Sequence, residues 1–281
     1  MADAITGNTE LLSTKQSLIL SLVQKELKFA AKLFPTITDL SAYAGKGTKS
    51  FTVPNLSSFT VVNRVSGAQG DSSVLTAGSD LMNLDYNAYV AWIIDSFDEI
   101  QSNINVQMEN AGRAAAALGR YVDTQIIAKL DSVAGYNQGA LTTVTADVLL
   151  DLREYLLNSH ANPQELTVLM GTDQEKAMLK IADFVRADAY GQSNIGSGII
   201  GKVYGMNVMV HSGLAASKVY CYDKSGIAGA FQQQPSMSEQ GANQYGSGAK
   251  RVAVDQIFGI CGLQIAQNGA AATKSPLVSM M

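Results

Sequence analysis

From Phe97 to Leu130 apolar residues recur every three or four positions, through Ile100, Ile104, Met108, Ala111, Ala115, Leu118, Val122 and Ile126. That spacing draws one apolar stripe along an α-helix. About 34 residues at 1.5 Å each make a helix of roughly 50 Å, well beyond the usual globular length. Gly112 and Gly119 weaken it locally, and Ala114 to Ala117 give it a low-profile surface. The stripe has no heptad pattern of flanking charges, so the segment reads as a spine lying on a sheet and not as a coiled coil.

What precedes the spine reads as extended chain. After Pro35, the run Lys49 to Pro54 and then Ser58 to Val62 is strand-like, and residues 66–80 are rich in turn formers. The following segment alternates, with Leu84, Tyr86, Ala88, Val90, Trp92 and Ile94 on one face and Asp85, Asn87 and Tyr89 on the other. Together these predict a hairpin with arms of about 12 residues, reaching on the order of 40 Å. An isolated two-stranded ribbon is marginal in water, so a hairpin of this length is expected to lie on a neighbouring subunit. Phe51, Val53, Phe59, Val61, Val74, Leu75, Leu84 and Tyr86 are the candidate contacts between subunits.

Residues 9–34 carry apolar side chains near helical spacing, with Lys25, Lys28 and Lys32 on one side. These lysines form a candidate basic stripe towards packaged DNA or an acidic partner, although a solvated face is the favoured reading of such a run. Beyond the spine the pattern alternates in type: a helix from Asp147 to Ser159, a strand from Glu165 to Met170, a helix from Asp173 to Arg186 and a strand from Val203 to Val210. Lys218 to Tyr222, Ile227 to Phe231 and Arg251 to Gln267 read as further β segments. The fold class is therefore α+β.

Charge and composition exclude several functions. With 20 basic and 24 acidic residues the net charge is −4, which does not suit a surface built to neutralise phosphates. Cys221 and Cys261 are the only cysteines, too few and too far apart for a zinc site or a disulfide framework. No basic start followed by an apolar run marks a secretory signal, and no apolar stretch nears the roughly 20 residues needed to span a bilayer. No export and no membrane association are expected.

Nor does any motif carry chemistry. Gly196-Ser197-Gly198-Ile199-Ile200-Gly201 fits the dinucleotide fingerprint, with Asp223 some way downstream. That fingerprint must follow a strand and open a helix, whereas here the order is helix, glycines, strand. Gly45-Lys46-Gly47-Thr48-Lys49-Ser50 does not match a phosphate loop and reads as a turn. His160 and His211 have no second ligand at metal spacing, and His211 has no serine in a nucleophile elbow. No catalytic residue, metal ligand or cofactor is assigned.

The order of elements, with Trp92 to Ser102 leading into the spine, Ala114 to Asp123 within it and Gly198 to Val208 in the later part, resembles the Hong Kong 97 fold of tailed-phage major capsid proteins. The resemblance implies an N-terminal arm at 1–35, an extended loop at 50–91, a peripheral domain of 36–49, 92–134 and 229–281 holding a spine helix at 97–130, and an axial domain at 135–228. It implies hexamers and pentamers tiling an icosahedral shell around double-stranded DNA that is touched only nonspecifically. Portal, scaffolding and decoration proteins would be partners, in a virion capsid assembled in the bacterial cytoplasm. Some members weld subunits through an extended-loop lysine, but no lysine lies between Lys49 and Lys129, so no such crosslink is expected. Others carry a cleaved N-terminal scaffolding segment; with the hairpin starting near residue 50, scaffolding is expected to be a separate protein. Two rival readings are an encapsulin-like nanocompartment shell, which shares the fold, and a nucleotide-dependent oxidoreductase resting on the glycine motif.

Overall fold

The computed structural model describes residues 32–56, 66, 77–94, 105–139, 143–159, 161–181, 199–240, 250–266, 274–276 and 278–280. Its strands are β1 (Thr38–Asp39), β2 (Ser50–Leu56), β3 (Ala77–Asn83), β4 (Tyr86–Ile94), β5 (Tyr136–Asn137), β6 (Leu166–Met170), β7 (Ile199–Val203), β8 (Met206–Val210), β9 (Val219–Asp223), β10 (Ile227–Gln240), β11 (Lys250–Gly262), β12 (Gln264–Ala266), β13 (Lys274–Pro276) and β14 (Val278–Met280). Three α-helices are described, α1 (Asn105–Val133), α2 (Ala146–Asn158) and α3 (Thr172–Met178).

Two sheets organise the chain. The first has the order β1-β10-β11-β4, the second the order β5-β14-β9-β6-β8-β7, and β2 and β3 pair only with each other. The spine helix is present as α1. Its N-terminal stretch, residues 97–104, lies outside the described residues, as do residues 9–31 of the helix expected at 9–34, of which Phe34 instead opens a 3-10 turn, Phe34–Thr36. Ala111, Ala115 and Leu118 pack with Val254, Val90 and Trp92 of the four-stranded sheet. Further along, Val122, Ile126 and Leu130 pack with Phe258 and Ile260 of that sheet and with Tyr220 and Tyr222 of the six-stranded one. One stripe thus covers both sheets.

Strand β6 is buried at every position because its two faces serve different cores. Leu166, Val168 and Met170 meet Leu149, Leu152 and Leu156 of α2, while Leu169 joins the spine core. Strand β9 divides likewise, Val219 and Cys221 to one side, Tyr220 and Tyr222 to the other. Helix α2 starts where Thr145 caps it by accepting from the Val148 N–H, with Asp147 in the first turn to suit the helix dipole.

Three expectations need correcting. The return arm of the ribbon is Ala77–Asn83, paired from Ser50↔Asn83 to Leu56↔Ala77, and Tyr86–Ile94 instead pairs with β11 inside the four-stranded sheet. Alternation at 84–94 marks a half-buried strand whichever strand it pairs with, so period alone could not assign it. The strand expected at Val203–Val210 is a hairpin of β7 and β8. Tyr204 and Gly205 both take positive φ, 49° and 80°, the requirement of a two-residue turn matched to strand twist. The helix expected from Asp173 is α3, which ends at Met178.

Gly259 of β11 seats the ribbon on the sheet. A Cβ there would lie 2.2 Å from the Asn83 carbonyl oxygen, so only glycine permits β3 to end against β11. Gly259→Ala is expected to lose about 1–3 kcal/mol of stability, read by denaturant unfolding. Parent-like stability would show that the ribbon root is not seated there.

Candidate functional site

The four-stranded sheet has an inner face under α1 and an outer face that is only partly covered. Met82 and Leu84, with Ala44, close over Ala228, Ala230 and Cys261 at one end of that outer face. The Leu84 N–H donates to the Lys49 carbonyl at 3.0 Å, and Gln232 Nε2 donates to the carbonyls of Gly45 and Thr48 at 3.0 and 2.7 Å. These bonds fix the root of the ribbon, while Thr52, Pro54, Ser79 and Leu81 further along it are exposed.

Beside the root lies an open groove of about 870 Å³, bounded by Lys46, Lys49 and Leu84 on the ribbon side and by Asn87, Gln233 and Ile257 on the sheet side. There β10 departs from regular register between Phe231 and Ser236, where Pro235 supplies no ladder donor. The bulge is tied down because Ser236 Oγ and Gln233 Nε2 both donate to the Asp255 carboxylate, at 2.8 and 2.9 Å. Beyond the groove the outer face is open. Tyr89 and Ile93 of β4 are 66% and 59% exposed, and β4 is the last strand of its sheet among the described residues.

The expected contact residues divide. Phe51 is half-buried against the core under the ribbon root, and Val53 is half-buried further along β2. Leu84 is 6% exposed, a core residue of this chain and not a surface contact. Tyr86 stacks on Phe258 with ring centroids 5.1 Å apart, which makes it part of the sheet interior. Phe59, Val61, Val74 and Leu75 lie outside the described residues, as do Lys25 and Lys28, while Lys32 is exposed. Sequence reasoning passed over Tyr89 and Ile93, although Tyr89 had been placed on the outward side of the alternation.

The groove is lined by amides, hydroxyls, two lysines and apolar side chains. Among the described residues no cluster of three or more His, Cys, Asp or Glu could hold a metal, and no helix is long and apolar enough to cross a membrane. Burial pushes the Cys221 thiol up to about 12 and that of Cys261 up to about 11, which removes thiolate nucleophilicity. Ile199 to Val203 form a strand, so no helix opens after the glycine motif; Gly196 and Gly198 lie outside the described residues, as does His160. His211 meets Asp123 and the Gly213 N–H.

A spine helix shared by two sheets and a root-anchored ribbon define an α+β fold of the Hong Kong 97 capsid type. The chain belongs to the phage capsid protein family, whose sequence model it matches over residues 31–254. It is a capsid shell protein. Among solved structures it resembles a protein of Mycobacterium phage Che8, with a TM-score of 0.63 and 15% identity over 87% of this chain and 88% of that one. The cyanophage P-SCSP1u capsid gives a TM-score of 0.66 and 12% identity over 87% and 85%. A virus-like particle from Pyrococcus furiosus gives 0.59 and 10% over 94% and 98%. No curated protein sequence matches significantly.

At the C-terminal end of α1, Lys218 donates to Asp131, which also accepts from the Tyr220 hydroxyl at 3.0 Å. The Lys218 hydrogen bond holds the Asp131 carboxyl below its usual range, so the pair stabilises above the unfolded carboxylate pKa of about 4 and loses this as pH falls through the lower folded value. Both side chains are more than a third exposed, so Asp131→Asn is expected to cost under about 1 kcal/mol at neutral pH. Unfolding curves of parent and variant should converge in acid; a constant gap would refute the assignment.

Proposed function

We propose that this chain is the major capsid subunit of a tailed phage, assembling as hexamers and pentamers into an icosahedral shell around double-stranded DNA. The observation that carries the reading is the ribbon: its root is fixed by Gly259, Leu84 and Gln232, yet β2 and β3 pair with no other strand among the described residues. A two-stranded ribbon of this kind gains its stability by lying on another surface, and the next subunit of the capsomer supplies one. In this reading residues 1–35 form the arm, the ribbon occupies the extended loop, α1 and the four-stranded sheet form the peripheral domain, and the six-stranded sheet belongs to the axial domain, which moves β4 out of the expected loop 50–91 and β14 out of the expected peripheral segment 229–281. Portal, scaffolding and decoration proteins complete the particle, which assembles in the host cytoplasm. The net charge of −4 suits a wall that must contain DNA without adhering to it.

The length match to the Pyrococcus furiosus particle favours one second reading, a nanocompartment shell enclosing protein cargo. Particle contents separate the two: nuclease-protected double-stranded DNA supports the phage shell, co-purifying protein cargo the compartment. Electron microscopy of the expressed chain, with and without a candidate scaffold, is expected to show closed shells. Compact monomers under all conditions would defeat both readings.

The ribbon register supplies a sharper test. Replacing residues 57–76 with a short turn closes the hairpin at Leu56↔Ala77, and is expected to leave the subunit folded by circular dichroism while abolishing shells. Normal shells from this variant would remove the ribbon from the interface. With no lysine between Lys49 and Lys129, boiled shells should run on a denaturing gel as one band near 29.7 kDa. A ladder would reveal covalent welding.

A further inference from the structure

The apolar stripe of the spine contains one acid. Asp123 is 0% exposed, and a carboxylate taken out of water persists only where donors occupy its oxygens. Its Oδ1 accepts the Leu33 N–H at 3.1 Å, and its Oδ2 accepts the Lys32 N–H at 3.1 Å and lies 3.2 Å from His211 Nε2. Lys32 and Leu33 lie outside any described helix or strand, and His211 directly follows β8. The spine carboxylate is the common partner of both.

The histidine side is equally determined. Nδ1 of His211 accepts the Gly213 N–H at 3.1 Å, which leaves Nε2 as the nitrogen that donates to Asp123. A neutral ring therefore satisfies both ends at once. The His211 main chain is bonded on both sides, its N–H to the Met170 carbonyl at 3.0 Å and its carbonyl to the Leu214 N–H at 3.3 Å. Leu214 and Leu33 are buried in the same core. The ring, the loop after β8 and the C-terminal end of the arm are thus three faces of one junction.

We propose that Asp123 is a latch: it couples seating of the arm at Lys32–Leu33 to closure of the 211–214 loop on the six-stranded sheet, so that freeing either one loosens the other. The latch acts within one subunit and goes beyond the shell reading, because it holds whatever the particle encloses. Linkage makes the coupling reciprocal. In a shell, a partner that pulls on the arm would be felt at the axial end of the same subunit.

Amide hydrogen exchange on the full unassembled chain tests this without reference to assembly. Asp123→Asn keeps one acceptor oxygen but sets an NH2 against N–H donors at the other, and is expected to raise exchange at Leu33 about tenfold or more, with faster tryptic cutting after Lys32. His211→Ala makes no change in the arm or the spine themselves, yet should raise exchange at Leu33 about threefold or more. His211→Gln keeps a side-chain donor and should return protection towards the parent. The ¹⁵N shifts of the parent His211 ring should report the neutral Nε2–H tautomer. Should Asp123→Asn fail to fold, the two His211 variants carry the test. Parent-like Leu33 exchange in His211→Ala would reduce Asp123 to a simple arm anchor and overturn the coupling.

Discussion

The rest of the structure depends on one buried stripe. Helix α1 offers small side chains, Ala111 and Ala115, to the four-stranded sheet and large ones, Ile126 and Leu130, to the junction of the two sheets. Where the side chains are small, the helix backbone sits close to the strands; where they are large, they fill the space between sheets. Each fully buried Leu or Ile is worth roughly 1.5–3 kcal/mol, and here the same side chains are shared by both sheets. Neither sheet could keep its inner face dry alone, so the helix fixes the two in one relation. Close approach at its far end needs Gly262, where a Cβ would meet Val133 at 2.6 Å.

The inner face being taken, the arm and ribbon are sorted by what remains. Phe34 and Ile37 reach the inner face over Gly229, where a Cβ would lie 2.8 Å from the Phe34 ring. The ribbon root takes the outer face over Gly259. Residues one apart along β10 and β11 thus serve opposite partners, as period 2 requires. Glycine stands at both crossings because main chain or ring must approach within van der Waals distance of a strand.

That geometry also explains what could be read from sequence. The spine, α2, β6 and β9 were legible because their burial follows a simple period, and β7 begins inside the glycine motif, where a dinucleotide fingerprint would open a helix. The partner of Tyr86–Ile94 was not legible: alternation put Tyr86, Val90 and Trp92 on one face, but it is silent on whether that face meets a neighbouring subunit, a hairpin arm or the helix above β11, and Tyr86 was misassigned for that reason. The β7–β8 turn escaped because Tyr204 takes positive φ without being Asn, Asp or Gly. Asp123 was visible as a charge inside an apolar stripe, yet its three donors come from segments 88 to 91 residues away, which no local pattern connects.

The candidate surface was the least legible part, for a physical reason. A subunit that must stay soluble before assembly cannot advertise its contacts as a large apolar patch. On the outer face Tyr89 and Ile93 stand beside Asp255 and Arg251, their register partners on β11, so apolar and charged side chains alternate across the sheet. Such a face blunts edge-to-edge aggregation of β4 while leaving two large side chains free to be covered. Each contact of this kind is weak. The proposed shell would repeat such a contact on every subunit, and every further contact a subunit makes raises the effective concentration for the next. Specific assembly can therefore rest on modest surfaces, provided the spine holds each one in fixed orientation.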